Sequence, residues 1–175
     1  MGAMRSARKP LLAAVVVAVR VGPLGGGEAG AGAEPRATTR TVTIPASAFN
    51  PASDDVAFRR GASFLETTAG DGTFLAPVDF DAPDVRVIKV VFYAIDSGIA
   101  FPIFEVYRTQ LAVPQNVLCG EGATQGSSDT MQVVTVRDLE PRRITGAYGM
   151  TLSVYLPAPY GDGYRFLGAK VTYSY

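Results

Sequence analysis

The most informative feature of this 175-residue sequence is what it lacks, because it has no histidine, no tryptophan and a single cysteine. Without histidine, the Ser-His-Asp and Cys-His nucleophile arrangements are excluded, as are zinc and copper sites built on imidazole. Cys119 alone cannot form an internal disulfide or a thiolate metal site. The sequence has no G-x-S-x-G, P-loop or strand–GxGxxG–helix pattern. Carboxylates are therefore the only remaining catalytic type.

The first 33 residues have the pattern of a secretory signal peptide. Arg5, Arg8 and Lys9 form a positive segment, residues 11–19 are apolar, and the small residues Ala31–Ala33 fit an A-x-A cleavage site. The apolar run is shorter than the roughly 20 residues that span a bilayer. We expect export to the cell envelope or the extracellular space, and the alternative is a disordered low-complexity N-terminus.

Removal of this segment would leave a single domain with a mildly acidic charge. It takes away four of the 16 basic residues and one of the 16 acidic residues, which leaves 12 and 15 in a chain of 142. That balance argues against nucleic acid and anionic membrane surfaces as partners. An extracellular glycan, a surface protein or a further copy of the chain remains as a partner.

The remaining sequence predicts an all-β domain organised around the long strand Val85–Ile95, which is rich in β-branched residues and closed by Asp96-Ser97-Gly98. Alternation assigns Ile88, Val90, Phe92 and Ala94 to the core, and leaves a half-covered second face with Val85, Val87, Lys89, Val91 and Tyr93. About eight strands, punctuated by Gly, Pro and Asp, predict an antiparallel β-sandwich or jelly roll over residues 41–175, after a flexible leader at 34–40. The predicted core comprises Val42, Ile44, Phe64, Leu75, Ile88, Val90, Phe92, Phe104, Val106, Val133, Leu152, Val154, Phe166 and Val171.

Turn signals predict how neighbouring strands pair. The Ala69-Gly70-Asp71-Gly72 turn predicts a hairpin between strands 63–68 and 73–80. The strand at 101–108 is expected to run antiparallel beside Val85–Ile95. Residues 111–130 show no clear periodicity, which is typical of a functional or disordered loop. This loop or a partner subunit is expected to cover the second face of the long strand, and Cys119 within it is either a small buried residue or a free thiol.

Tyrosines near the C-terminus are the candidate ligand-binding residues. Tyr155, Tyr160, Tyr164 and Tyr173 lie on the last two predicted strands and at the turn between them. Exposed aromatic rings could stack on sugars, because a tyrosine combines a large apolar face with a polar tip. The alternative is cross-strand aromatic pairing that stabilises a terminal hairpin.

Acidic residues supply two further candidate sites. Asp79, Asp81 and Asp84 form a cluster of hard oxygen ligands that suits Ca²⁺, and no other cofactor is expected. Glu66, Glu105, Asp96 and Asp79 are acids from which a glycoside hydrolase could draw its two carboxyls. The alternative for all of them is a role as solvated acids on strand faces and turns.

The order of several strand segments resembles a group of small secreted bacterial β-sandwich proteins of unassigned function. The resembling segments are Thr43–Phe49, Phe74–Val78, Val90–Tyr93 followed by Asp96-Ser97, and Gly168–Tyr173. The resemblance implies the fold and export, and it transfers no functional residue. The leading hypothesis is a secreted non-catalytic binding or structural module, and the alternative is a histidine-free glycan-active hydrolase with paired carboxylates.

Overall fold

A computed structural model describes residues 37–113, 115–159 and 163–175. The predicted signal peptide lies outside the described residues. Twelve β-strands and one short 3₁₀ helix, Ala46–Ala48, occur in the described ranges. The strands are β1 (Thr39–Pro45), β2 (Asn50–Pro51), β3 (Ala57–Arg60), β4 (Leu65–Ala69), β5 (Gly72–Val78), β6 (Val85–Asp96), β7 (Ile103–Gln110), β8 (Gln115–Ala123), β9 (Ser128–Val136), β10 (Arg143–Ile144), β11 (Tyr148–Leu156) and β12 (Tyr164–Ser174).

Two antiparallel sheets form a β-sandwich, which confirms the predicted fold class. The first, sheet A, has the order β10-β6-β12-β4-β3, with β9 also paired to β6 and β1 also paired to β12. The second, sheet B, has the order β2-β5-β11-β7-β8. The rows β4-β12-β6-β9 and β5-β11-β7-β8 within them give a jelly-roll connectivity. No helix in the described part of the chain is long and apolar enough to cross a bilayer.

Several predicted pairings are wrong because most consecutive strands lie in opposite sheets. The Gly-Asp-Gly turn connects β4 of sheet A to β5 of sheet B, so these strands form no hairpin. For the same reason β7 is not beside β6, and β11 and β12 do not form a terminal hairpin. A turn signal specifies where the chain reverses, whereas the packing of the inner faces of the two sheets against each other decides which sheet the next strand joins.

The strand count is also higher than predicted. Four strands, β2, β3, β8 and β10, had no predicted counterpart, and β8 occupies much of the segment at 111–130 that was predicted to be a loop. Its sequence hides the strand pattern, because the inward positions 120 and 122 are glycines instead of large apolar residues. Gly120 faces Val136 and Gly122 faces Val134, so the glycines let β8 lie close to β9.

The core lies between the sheets and is centred on aromatic rings from both. Phe92 of β6 stacks on Phe104 of β7 with ring centroids 4.9 Å apart, and Phe49 meets Phe166 edge-on at 4.7 Å. Ten of the fourteen predicted core residues are buried, which leaves four exceptions. Leu75, Ile88 and Val133 are exposed, and Phe64 is half-buried.

The exception at Ile88 comes from a β-bulge in β6. Val87 pairs with Tyr173 and Lys89 pairs with Thr172, so Ile88 has no partner in β12. The extra residue reverses the alternation, and therefore Val85 and Val87 point inward before the bulge while Val90 and Phe92 point inward after it. Ile88 is 43% exposed as a result, and Val87 belongs to the core instead of the second face.

Candidate functional site on the outer face of sheet B

The outer face of sheet B gathers tyrosines, carboxylates and hydroxyl groups in three neighbouring rows. Antiparallel pairing across β5, β11, β7 and β8 sets each row. The rows are Thr73–Tyr155–Ile103–Ala123, Leu75–Ser153–Glu105–Glu121 and Pro77–Thr151–Tyr107–Leu118. Inward neighbours such as Phe74, Phe104 and Val154 fill the core, so alternation fixes these side chains on the outside.

A hydrogen-bonded pair occupies the middle row. The Ser153 hydroxyl donates to Glu105 Oε2 at 2.9 Å. Ser153 is buried although it points outward, because it is a small residue between Leu75 and Glu105 on the neighbouring strands. The bond holds the Glu105 carboxylate in one orientation and leaves its remaining lone pairs to accept further hydrogen bonds.

A second carboxylate lies directly across from this pair. Glu121 of β8 is the register partner of Glu105 of β7, and it is exposed. Directly opposed residues have Cβ atoms about 4.5–5.5 Å apart, and like charges there are destabilising. No lysine or arginine occupies an outward position on the described strands of sheet B, because Arg108 points inward and lies 4.4 Å from the Tyr148 ring centroid. The outer face of sheet B is therefore negatively charged.

Two half-buried tyrosines lie on either side of the carboxylates. Tyr155 Oη donates to Asp71 Oδ2 at 3.0 Å, and burial together with this bond raises the pKa of Tyr155 above its usual value. Burial and the neighbouring carboxylates of Glu105 and Glu121 raise the pKa of Tyr107. Tyr155 pairs with Ile103, four residues before Tyr107 on β7, so the two backbone positions are about 13 Å apart along the strand direction.

The other predicted platform tyrosines do not join this face. Tyr164 is buried, and its hydroxyl accepts a hydrogen bond from Ala100 N at 2.9 Å. Tyr173 is buried as well and donates to Asp81 Oδ1 at 2.6 Å. Both residues occupy inward positions of β12, so their rings pack in the core. Tyr160 lies outside the described residues.

Two of the three predicted calcium ligands form ion pairs or hydrogen bonds with arginine or tyrosine side chains. Asp81 pairs with Arg40 and with Tyr173, and Arg143 binds both carboxylate oxygens of Asp84, at 3.0 and 2.6 Å. The hydrogen bonds from Arg143 lower the pKa of Asp84. Asp79 follows the end of β5 and is exposed. The described ranges contain no group of three or more His, Cys, Asp or Glu side chains that could hold a metal ion.

The remaining acids and the cysteine have structural partners. Glu66 bonds Arg59 at 2.7 Å and pairs with Arg165 at 3.4 Å. Asp96 is fully buried at the end of β6 and accepts hydrogen bonds from Gly98 N and the Thr124 hydroxyl. Cys119 is buried, burial raises its thiol pKa, and its Sγ donates to the Val117 carbonyl at 3.5 Å.

Sequence reasoning found part of this site. It named Tyr155 and Glu105, but it missed Ser153, Tyr107 and Glu121. The alternation of Ile103, Glu105 and Tyr107 already placed these three residues on one face of a strand. Glu121 gave no such signal, because β8 was predicted to be a loop.

No protein-family model and no curated protein matches this sequence. Among solved structures, the chain is similar to the CBM36-1 domain of a multidomain xylanase from the hindgut metagenome of Trinervitermes trinervoides. The identity is 7% and the TM-score 0.44, over 75% of this chain and 95% of that one. It is also similar to a chain from a structural study of promiscuous specificity in carbohydrate-binding modules of the β-sandwich superfamily. Here the identity is 15% and the TM-score 0.38, over 78% of this chain and 51% of that one.

Proposed function

We propose that this protein is a non-catalytic binding module that takes a glycan on the outer face of sheet B. One observation carries the proposal: Tyr107 and Tyr155 lie on either side of the hydrogen-bonded Glu105–Ser153 pair on the outer face of sheet B. A sugar ring combines an apolar C–H face with hydroxyl donors. Tyrosine rings suit the first, and a carboxylate that accepts charge-assisted hydrogen bonds suits the second.

Binding of purified protein to insoluble polysaccharides and to a glycan array tests the proposal. We expect Tyr155→Ala and Tyr107→Ala each to weaken binding about tenfold, or about 1.4 kcal/mol. Ser153→Ala should weaken it by about 0.5–1.5 kcal/mol, because Glu105 loses the hydrogen bond that orients it.

Tyr93→Ala is the matched control, because Tyr93 is a half-buried tyrosine on the outer face of sheet A. It should leave glycan binding unchanged. The proposal would be contradicted if the wild-type protein bound no polysaccharide. It would also be contradicted if Tyr107→Ala and Tyr155→Ala both bound as tightly as the wild type.

A histidine-free glycan hydrolase is the second candidate, and the opposed Glu105 and Glu121 favour it. Retaining glycosidases hold two carboxyl groups about 5–5.5 Å apart, and the Cβ atoms of a directly opposed cross-strand pair, about 4.5–5.5 Å apart, allow two carboxyl groups to approach that separation. The binding module is preferred because Glu121 is exposed, whereas a catalytic acid needs an environment that raises its pKa. Reducing ends released by wild type and lost in both Glu105→Gln and Glu121→Gln would favour the hydrolase instead.

We also propose that the protein is exported. The basic segment, the short apolar run and the Ala31–Ala33 site support this proposal. N-terminal sequencing of protein expressed from the full chain in a secreting host should yield a mature form that begins at Glu34. Recovery of only the uncleaved chain inside the cells would contradict it.

A further inference from the structure

The outer face of sheet A differs from that of sheet B, since it combines an apolar half with a basic half. After the bulge, Val91, Tyr93 and Ile95 of β6 point outward. They pair with Thr135, Val133 and Met131 of β9, and both Val133 and Met131 are 54% exposed. Val91 is buried and Tyr93 and Ile95 are half-buried, so the accessible apolar part of this face lies mainly on β9. The strand β8 does not cover it, because β8 lies in sheet B.

Three basic side chains lie next to this apolar half, on β6 and on the adjacent strand β12. Lys170 is opposite Val91, Lys89 comes next on β6, and Arg86 lies beyond Ile88. None of these three basic groups takes part in an ion pair within the described ranges. Lys170 Nζ lies 5.6 Å from the Tyr93 ring centroid, which links the basic half to the apolar half.

The two outer faces are complementary in charge and in apolar content. Sheet B presents the opposed Glu105 and Glu121, and sheet A presents Lys89 and Lys170. Of the eleven large hydrophobic residues that are exposed within the described ranges, six lie on these faces, three on each. They are Ile88, Met131 and Val133 on sheet A, and Leu75, Ile103 and Leu118 on sheet B.

We propose that the outer face of sheet A docks onto the outer face of sheet B of a second copy of this chain. Opposite charges fix which faces meet, and the apolar residues supply the contact area. The contact is heterologous, so a dimer retains one free sheet A face and one free sheet B face, and the assembly grows beyond a dimer. Because sheet B would also carry the glycan, a bound glycan and a second copy compete for the same face.

Sedimentation velocity over a concentration series tests the proposal with the wild-type protein and two charge-reversal variants. The wild type should associate at about 0.02 M salt and dissociate at about 0.5 M, where the Debye length is only a few ångströms. The variant K89E/K170E makes both faces acidic, and E105K/E121K makes both faces basic. Each variant alone should show a dissociation constant at least about tenfold weaker than wild type.

An equimolar mixture of the two variants is the decisive measurement. In the mixture an acidic face meets a basic face again, so association should return to near the wild-type level. A wild type that stays monomeric at low salt, or a mixture that does not associate, would overturn the proposal. Arg142→Glu, an exposed charge change in the turn before β10, should associate as wild type does.

The variant K89E/K170E separates this proposal from the glycan proposal. Its substitutions lie on sheet A alone, so it should bind polysaccharide at least as well as wild type while losing self-association. Retained melting temperatures for all variants show that the substitutions leave the fold intact.

Discussion

The two outer faces of the sandwich are both surfaces of antiparallel sheets, and they carry opposite charges. The face of sheet B carries Glu105 and Glu121 with two tyrosines, and the face of sheet A carries Lys89 and Lys170 beside an apolar patch. The sequence has 16 basic and 16 acidic residues, so its net charge conceals this separation. Net charge alone is therefore a poor guide to the partners of a two-sided sheet protein, because each partner meets one face.

The difference between the two faces depends first on the β-bulge at Ile88, which reverses the inward–outward alternation of side chains along β6. Phe92→Ala should lower the free energy of unfolding by about 3–5 kcal/mol, because it removes a buried ring that stacks on Phe104. Ile88→Ala should change it by less than about 0.5 kcal/mol, because Ile88 lies at the surface. Chemical denaturation measures both free energies. A large loss of stability for Ile88→Ala would mean that Ile88 is buried and that the inward–outward alternation of β6 continues without a bulge.

A smaller effect on stability is expected from the two opposed carboxylates of sheet B. Glu121→Gln should raise the free energy of unfolding by about 0.2–1 kcal/mol, because it removes the repulsion between directly opposed carboxylates. Asp129→Asn, at an exposed acid of β9, is the matched control and should have no comparable effect. Equal stabilisation by both substitutions would attribute the gain to net charge instead of the opposed pair.

The smallest expected effect is a loss of stability at alkaline pH. The folded pKa values of Tyr107 and Tyr155 are raised, so the folded state keeps these phenol protons to higher pH than the unfolded chain does. Their contribution to stability is complete below the ordinary tyrosine pKa of about 10 and is lost as the pH rises through the folded values. Unfolding measurements between about pH 8 and 11 should show this decline.

The double variant Y107F/Y155F should make the decline shallower. It should not abolish it, because Tyr173 has a raised pKa as well. An unchanged decline in the double variant would show that the sheet B tyrosines ionise alike in the folded and unfolded states.

Prediction from the sequence succeeded where apolar and polar residues alternate strictly, because only one face of the strand can then be the core face. In β11 the apolar residues Met150, Leu152, Val154 and Leu156 alternate with Thr151, Ser153 and Tyr155, and the predicted core residues Leu152 and Val154 are confirmed by their burial. Prediction failed where two apolar residues stand side by side, as at Phe74-Leu75 and Val133-Val134. Either member of such a pair can face the core, and only the pairing with neighbouring strands decides between them.

The sequence by itself determined that this is an all-β chain without histidine chemistry or an internal disulfide, because residue composition and period-2 alternation are local properties. It also placed Glu105 and Tyr107 on one face of a strand. Only the tertiary structure decided that Ser153 and Glu121 join them, and that Lys89, Lys170 and Tyr93 meet on the opposite side of the sandwich. The physical reason is that sheet register and bulges arise from contacts between distant parts of the chain, which no local pattern encodes.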